Sequence, residues 1–132
     1  MNEVLRRSLE PVLRDLASTG TVEPRIEDRD CSDDPDFLSV MLRGPSGSGW
    51  GVQVSSSAAL VDGVVSVADQ VQEWAIEELW SQGAPTNWPR CPQHPTSHPA
   101  DATTQGDVAV WACPTDGLLV ALIGELQATR TR

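Results

Sequence analysis

Four of the chain's five cysteine and histidine residues lie in one short window near its C-terminal end. They follow the spacing Cys91-x2-His94-x3-His98-x14-Cys113 in a chain of 132 residues. A proline directly follows both cysteines, and proline restricts the backbone and removes one amide donor there. Turns of this kind can bring ligand side chains onto one point, as a tetrahedral metal site requires. The window therefore predicts a metal site that constrains the fold around it.

The residue types in the window favour structural zinc. Two thiolates and two imidazoles form a common ligand set for structural Zn²⁺, and these donors suit Mg²⁺ or Ca²⁺ poorly. The fourth ligand has two candidates: His98, on the loop "PTSHP", and Asp116, which lies three residues after Cys113. We expect His98, because a carboxylate is the rarer structural ligand, and Asp116 stays open as the alternative.

The cysteines sit in two turn sequences, "CPQH" at 91–94 and "CPTDG" at 113–117, next to strand-like runs at 107–112 and 118–123. On these motifs the region from about 88 to 123 resembles a zinc ribbon, a small β-hairpin module in which two such turns clamp one zinc ion. The resemblance implies a structural zinc and departs from the family pattern at Asp116, where a ribbon usually has a second cysteine. Its motif residues are Cys91, Pro92 and His94 in the first turn and Cys113, Pro114 and Gly117 in the second.

The wider layout, "WPxCPxH…HP…WxCP", also resembles that of small uncharacterised proteins of GC-rich bacteria. All nine basic residues are arginine and the chain has no tyrosine, as GC-rich coding favours. This second resemblance implies no activity.

The first two thirds of the chain alternate helical and strand patterns. Apolar residues at helical spacing predict an amphipathic helix over 3–17, with a kink or a late start at Pro11. The β-rich runs 37–43 and 49–55 predict a hairpin around a Gly/Pro connector, and a second helical stripe extends from about 58 to 81. We expect Trp74 and Trp80 on that helix to pack in the core and at its rim rather than to form a ligand cage.

These patterns predict the α+β class, with a helix–β-hairpin–helix body followed by a zinc-ribbon-like β-hairpin. We expect the α-β-β-α body at 1–83, the hairpin module at 84–126 and a flexible polar tail at 127–132. The segment 21–36 is rich in acids and has no apolar period, so we expect a solvated loop there. It lacks the glycine and terminal glutamate of an EF-hand, and Cys31 is isolated within it.

The charge balance limits the classes of partner. The formal net charge is −10 and the pI is about 4.4, a balance that opposes direct binding to nucleic acid or to anionic membranes. No apolar run approaches the roughly 18 residues of a membrane span, and the N-terminal segment does not resemble a signal peptide. We therefore expect a cytoplasmic protein that binds another protein, with a basic one as a candidate.

The motifs of catalysis are missing from the sequence. It contains no H-E-x-x-H, no deaminase layout and no phosphate-binding glycine loop, so we expect no enzyme. The favoured hypothesis is a non-catalytic protein-interaction or adaptor protein with a structural zinc site. The alternative is an acidic antagonist or chaperone for a basic partner, such as an immunity protein, a secretion chaperone or a nucleic-acid mimic.

Overall fold

The computed structural model describes residues 1–29 and 33–127. Two helices and six strands make up the described chain: α1 Glu3–Ser18, β1 Arg25–Glu27, β2 Phe37–Arg43, β3 Gly49–Ser55, α2 Leu60–Ser81, β4 Asp101–Gln105, β5 Val108–Ala112 and β6 Leu119–Leu122. The expected α+β class is confirmed. Cys31 and all but the first residue of the expected tail 127–132 lie outside the described residues.

The strands form two antiparallel sheets of three strands each. The first sheet has the order β1-β2-β3 and the second the order β4-β5-β6. The hairpin predicted at 37–43 and 49–55 is present with those bounds, in a register that places Val40 opposite Val52. β1 differs from the expectation, since it lies within the segment 21–36 that the sequence predicts to be a loop.

The reason for this difference is a contact between distant parts of the chain. β1 pairs with the far end of β2, so that Ile26 lies opposite Leu42. Between the same two strands, the Arg43 guanidinium on β2 donates to the Glu27 carboxylate on β1. Pairing with a distant strand leaves no periodic signal in so short a segment, and composition alone therefore indicates a loop.

The helices begin and end close to the predicted positions. Asn2 caps α1 by accepting a hydrogen bond from the Val4 amide at 2.8 Å, a common arrangement at helix starts. The helix includes Pro11 and begins at Glu3, so a late start at the proline is wrong. Neither described helix combines the length and the apolar character that crossing a membrane would need.

A single apolar cluster joins the helices to both sheets. It contains the inward faces of α1, α2, β2 and β3, and from the C-terminal third it includes Trp88, Ala100, Trp111 and Ile123. Trp88 and Trp111 meet edge to face, with ring centroids 5.6 Å apart. The expected division into 1–83 and 84–126 stays a prediction, and residues from both ranges share this core.

Two buried polar side chains fasten the helices to the C-terminal third. On α1, the Asp15 carboxylate accepts hydrogen bonds from Trp111 Nε1 at 2.8 Å and from the amides of Gly124 and Leu126 at 2.7 and 3.0 Å. Burial raises the pKa of Asp15 above its usual value, although these hydrogen bonds oppose the shift. On α2, the Gln72 side chain donates to the carbonyls of Trp88 and Ala100 at 3.2 and 2.6 Å. The chain on both sides of the cysteine–histidine window is thereby held against the helices.

Candidate metal centre

The structure brings the four residues of the window together. One ligand atom from each of Cys91, His94, His98 and Cys113 lies within 4.8 Å of the others. Both cysteines are buried and unpaired as thiols, and both histidines are half-buried. Such a cluster could hold a metal ion.

The separations between the donor atoms fit one tetrahedral ion. Zn–S bonds of about 2.3 Å and Zn–N bonds of about 2.0–2.1 Å place sulfur and nitrogen ligands roughly 3.5 Å apart. His94 Nδ1 lies 3.6 Å from Cys91 Sγ and 3.5 Å from Cys113 Sγ. His98 Nε2 lies 3.9 Å from Cys113 Sγ. The residues present therefore fit zinc in donor type. These three separations are near the ideal spacing, whereas the widest pair, at up to 4.8 Å, would have to close when an ion binds.

Backbone hydrogen bonds close the first turn around Cys91 and His94. The His94 amide donates to the Cys91 carbonyl at 3.0 Å, and the chain turns again where the Ser97 amide donates to the His94 carbonyl at 3.1 Å. At the base of the loop, the Ala100 amide donates to the Pro89 carbonyl at 2.7 Å. These bonds hold the first two ligands on one compact loop.

The second turn follows β5 and carries Cys113. The Gly117 amide donates to the Cys113 carbonyl at 2.8 Å, and the Cys113 amide donates to the Leu118 carbonyl at 2.9 Å. Gly117 has a φ of +74°, a left-handed conformation that favours glycine. The glycine that the sequence places after "CPTD" is therefore required by the shape of this turn.

The ring of His98 is oriented by its neighbours. Its Nδ1 lies 3.0 Å from the Pro99 carbonyl oxygen, and because a carbonyl only accepts, Nδ1 carries the hydrogen. The lone pair is then on Nε2, which faces the cluster and lies 3.3 Å from Thr115 Oγ1. Metal-binding histidines usually have such a bond from the second ring nitrogen, because it fixes the tautomer and the ring orientation.

Asp116 lies beside the cluster, where its carboxylate interacts with the Cys113 thiol, and one of its oxygens is used within the turn. Its Oδ1 accepts the Leu118 amide at 2.9 Å, and this hydrogen bond is the main reason that its pKa is lowered. The group of converging ligand atoms contains His98 and not Asp116. Burial raises the pKa of the Cys113 thiol, whereas a bound cation would favour the thiolate.

Two residues that position the site, Asp15 and Gln72, are not identified from the sequence. Asp15 has a recognisable signal, because it is the one charged residue on the buried stripe of α1. Gln72 has no comparable signal, since a single amide on a helix is ordinary. Both residues hold the C-terminal sheet against the helices rather than contact the cluster.

Comparison of the chain with protein-family models, with curated proteins and with solved structures finds no match. The arrangement of the site itself is thus the basis for a functional assignment.

Proposed function

We propose that this chain is a non-catalytic protein-interaction or adaptor protein whose C-terminal region is stabilised by one structural zinc ion. The ligands are Cys91, His94, His98 and Cys113. The observation that carries the proposal is the convergence of these four ligand atoms within 4.8 Å. The zinc-ribbon resemblance of residues 88–123 supports the same reading, because its two turn motifs supply three of the four ligands.

The ligand count supports a structural rather than a catalytic role. A catalytic zinc keeps one coordination position open for water or substrate, whereas four protein ligands fill a tetrahedral shell. The two thiols are buried, which further limits access of a substrate to the ion. Zinc would supply folding free energy here, since metal binding in small modules is coupled to folding.

The surface of the second sheet supports an interaction role. β6 is an edge strand, and apolar side chains on it and near it are exposed, namely Val108, Leu118, Leu119 and Leu122. If these side chains form one continuous patch, they could serve as an interaction surface. The turn that carries Cys113 leads directly into this surface, so the metal would fix its shape. We propose another protein as the partner, in the cytoplasm, because the net charge of −10 opposes nucleic acid and anionic membranes.

The same charge supports a second candidate function, an acidic antagonist or chaperone that binds a basic protein. Such binding relies on long-range attraction between opposite charges, and added salt screens it. We expect this candidate to show affinity that falls steeply between low and physiological salt. Binding that is insensitive to salt would favour the adaptor instead.

Metal analysis tests the proposed zinc site directly. Protein purified without chelator should contain about one zinc per chain, and replacement of zinc by Co²⁺ should give the absorption of a tetrahedral thiolate site. His98→Ala should weaken zinc binding strongly, because a ligand is lost, whereas the matched variant Asp116→Asn should retain one zinc. Protein without stoichiometric zinc would contradict the proposal. Loss of zinc in Asp116→Asn with retention in His98→Ala would contradict the ligand set.

A further inference from the structure

A small pocket lies at the C-terminal end of α2, on the body of the protein. Three of the chain's five tryptophans line it, Trp50 from β3 and Trp74 and Trp80 from α2. Its volume is about 240 Å³, below the roughly 300–1,000 Å³ of typical small-molecule sites. The pocket is thus of a size for one side chain of a partner rather than for a cofactor.

The charged residues that line the pocket are both acidic, and the Arg43 guanidinium beside Gly49 is paired with Glu27. Glu77 and Glu78 both line it, and they lie in the last turns of α2, where the helix dipole is also negative. The last turn of α2 contains no basic residue. Glu78 is buried and accepts hydrogen bonds from the hydroxyl and amide of Ser46 at 2.7 and 3.3 Å. Glu77 is exposed and forms no ion pair within the described chain. A cation would be stabilised here.

Trp74 forms one wall of the pocket and has an indole N–H that is unpaired within the described part of the chain. Its side chain is only 2% exposed, yet among the described residues its indole N–H has no acceptor. Buried donors are nearly always paired, because an unpaired one loses its hydrogen bonds to water without replacement. The indole N–H groups of Trp88 and Trp111 are paired, with Thr19 and Asp15 respectively. Of these three buried indoles, Trp74 alone has no acceptor among the described residues.

The exposure of Trp80 points the same way. The sequence predicts that Trp74 packs in the core and Trp80 at its rim. Trp74 is buried as expected, but Trp80 is 75% exposed. Large aromatic side chains at this exposure are frequent anchors of protein interfaces, and the face of an indole ring attracts a guanidinium or ammonium group.

We propose that this pocket binds an arginine side chain of another protein. The planar guanidinium stacks against the tryptophan rings and donates to the Glu77 carboxylate, as arginine does more readily than lysine. The inference rests on the proposed interaction function and names the chemistry of the partner, but it involves residues outside the cysteine–histidine cluster.

Indole N–H signals in NMR spectra of the zinc-loaded full chain provide the test. The probe is the capped tripeptide Gly-Arg-Gly, titrated to millimolar concentration at low salt, with Gly-citrulline-Gly as the uncharged control of the same shape. We expect the arginine peptide to shift the signals of Trp50, Trp74 and Trp80 and to leave those of Trp88 and Trp111 in place. The citrulline peptide should cause shifts at least several times smaller.

Substitutions at the pocket and away from it test where the arginine peptide binds. Trp80→Ala and Glu77→Gln should each weaken the apparent affinity about two- to fivefold, from loss of a cation–π contact and of an exposed ion pair respectively. Glu73→Gln is the matched control, because Glu73 is an exposed acid on the same helix and does not line the pocket. Its affinity should stay within the error of the unmodified chain.

Four results would overturn the inference. The first is that the three pocket indole signals do not shift, and the second is that the citrulline peptide binds equally well. The third is that Glu73→Gln weakens binding as much as Glu77→Gln does. The fourth is that the pocket indole signals shift with protein concentration alone, which would make a second copy of the chain the occupant. Zinc content is measured on the same samples. One zinc per chain without peptide binding therefore rejects the arginine pocket but supports the proposed zinc site. Peptide binding by protein that does not hold stoichiometric zinc rejects the zinc site alone.

Discussion

The two sheets have the same number of strands but are stabilised in different ways. In the first sheet, the inward side chains of β2 and β3 are almost completely buried, with Leu42 at 0% exposure. In the second sheet, Trp111 on β5 is fully buried but Leu119 on the edge strand β6 is 55% exposed, and Asp15 and Gln72 add polar contacts to the C-terminal third. Apolar burial can hold the first sheet, whereas the second combines a smaller apolar contribution with polar contacts and, as we propose, a metal.

Among the variants considered, removal of a metal ligand should cause the largest loss of stability, because it acts on the second sheet. Cys113→Ser should lower the free energy of unfolding by at least about 4 kcal/mol in buffer with zinc, because structural zinc contributes on the order of 10–16 kcal/mol of apparent folding free energy in small modules. Urea unfolding measures the change. Asp69→Asn is the control, since Asp69 is exposed on α2 and is not part of the cluster, and it should leave the midpoint within error. Equal midpoints for the two variants would show that Cys113 is not a ligand.

Two leucine variants compare a buried position of the first sheet with an exposed position of the second. Leu42→Ala should cost about 2–5 kcal/mol because it leaves a cavity in the core. Leu119→Ala should cost less than about 0.5 kcal/mol because the side chain is mostly exposed. Thermal or urea unfolding of both variants measures the difference. A large loss in Leu119→Ala would mean that this outer position of β6 is buried after all.

The polar attachment is tested at Asp15. Asp15→Asn should lower the free energy of unfolding by about 2 kcal/mol, since the amide group presents donors to the buried N–H groups of Trp111, Gly124 and Leu126. Asp69→Asn serves as the control because Asp69 is exposed on α2. The account requires the Asp15 variant to unfold at distinctly lower urea than the Asp69 variant, and equal midpoints would contradict it.

The smallest expected effect is the pH dependence that Asp15 contributes. Burial raises its pKa above 3.8 in the folded protein, so the folded state binds the proton more tightly than the unfolded state. The contribution of Asp15 to stability should therefore fall as pH rises from about 3.8 through the raised pKa and stay constant above it. The difference between the urea midpoints of the unmodified chain and Asp15→Asn, measured across pH, isolates this contribution. A difference that moves in the opposite direction would mean that the hydrogen bonds outweigh burial.

Local patterns predict much of this fold. The alternation in "GWGVQVS" and the helical stripe after Leu60 are local patterns. The strand β3 and the helix α2 form at these positions. The cluster of Cys91, His94, His98 and Cys113 is also visible in the sequence, because its turn residues lie next to its ligands.

Contacts between distant segments leave no such signal. β1 forms only because β2 offers an edge to it, and Asp15 is buried only because the chain near Gly124 returns to α1. The pocket at α2 likewise depends on the packing of β3 against that helix, which places Trp50 near Trp74 and Trp80. Local sequence patterns can identify these residues as unusual, but they do not predict the contacts between them.

The most direct test of the central claim is hydrogen exchange, measured segment by segment on zinc-loaded and chelated protein. We predict that chelation speeds amide exchange strongly in residues 88–123 and much less in residues 37–55, because the metal contributes mainly to the order of the second sheet. Equal acceleration in both segments, or no change in either, would contradict the claim that a structural metal holds the C-terminal sheet.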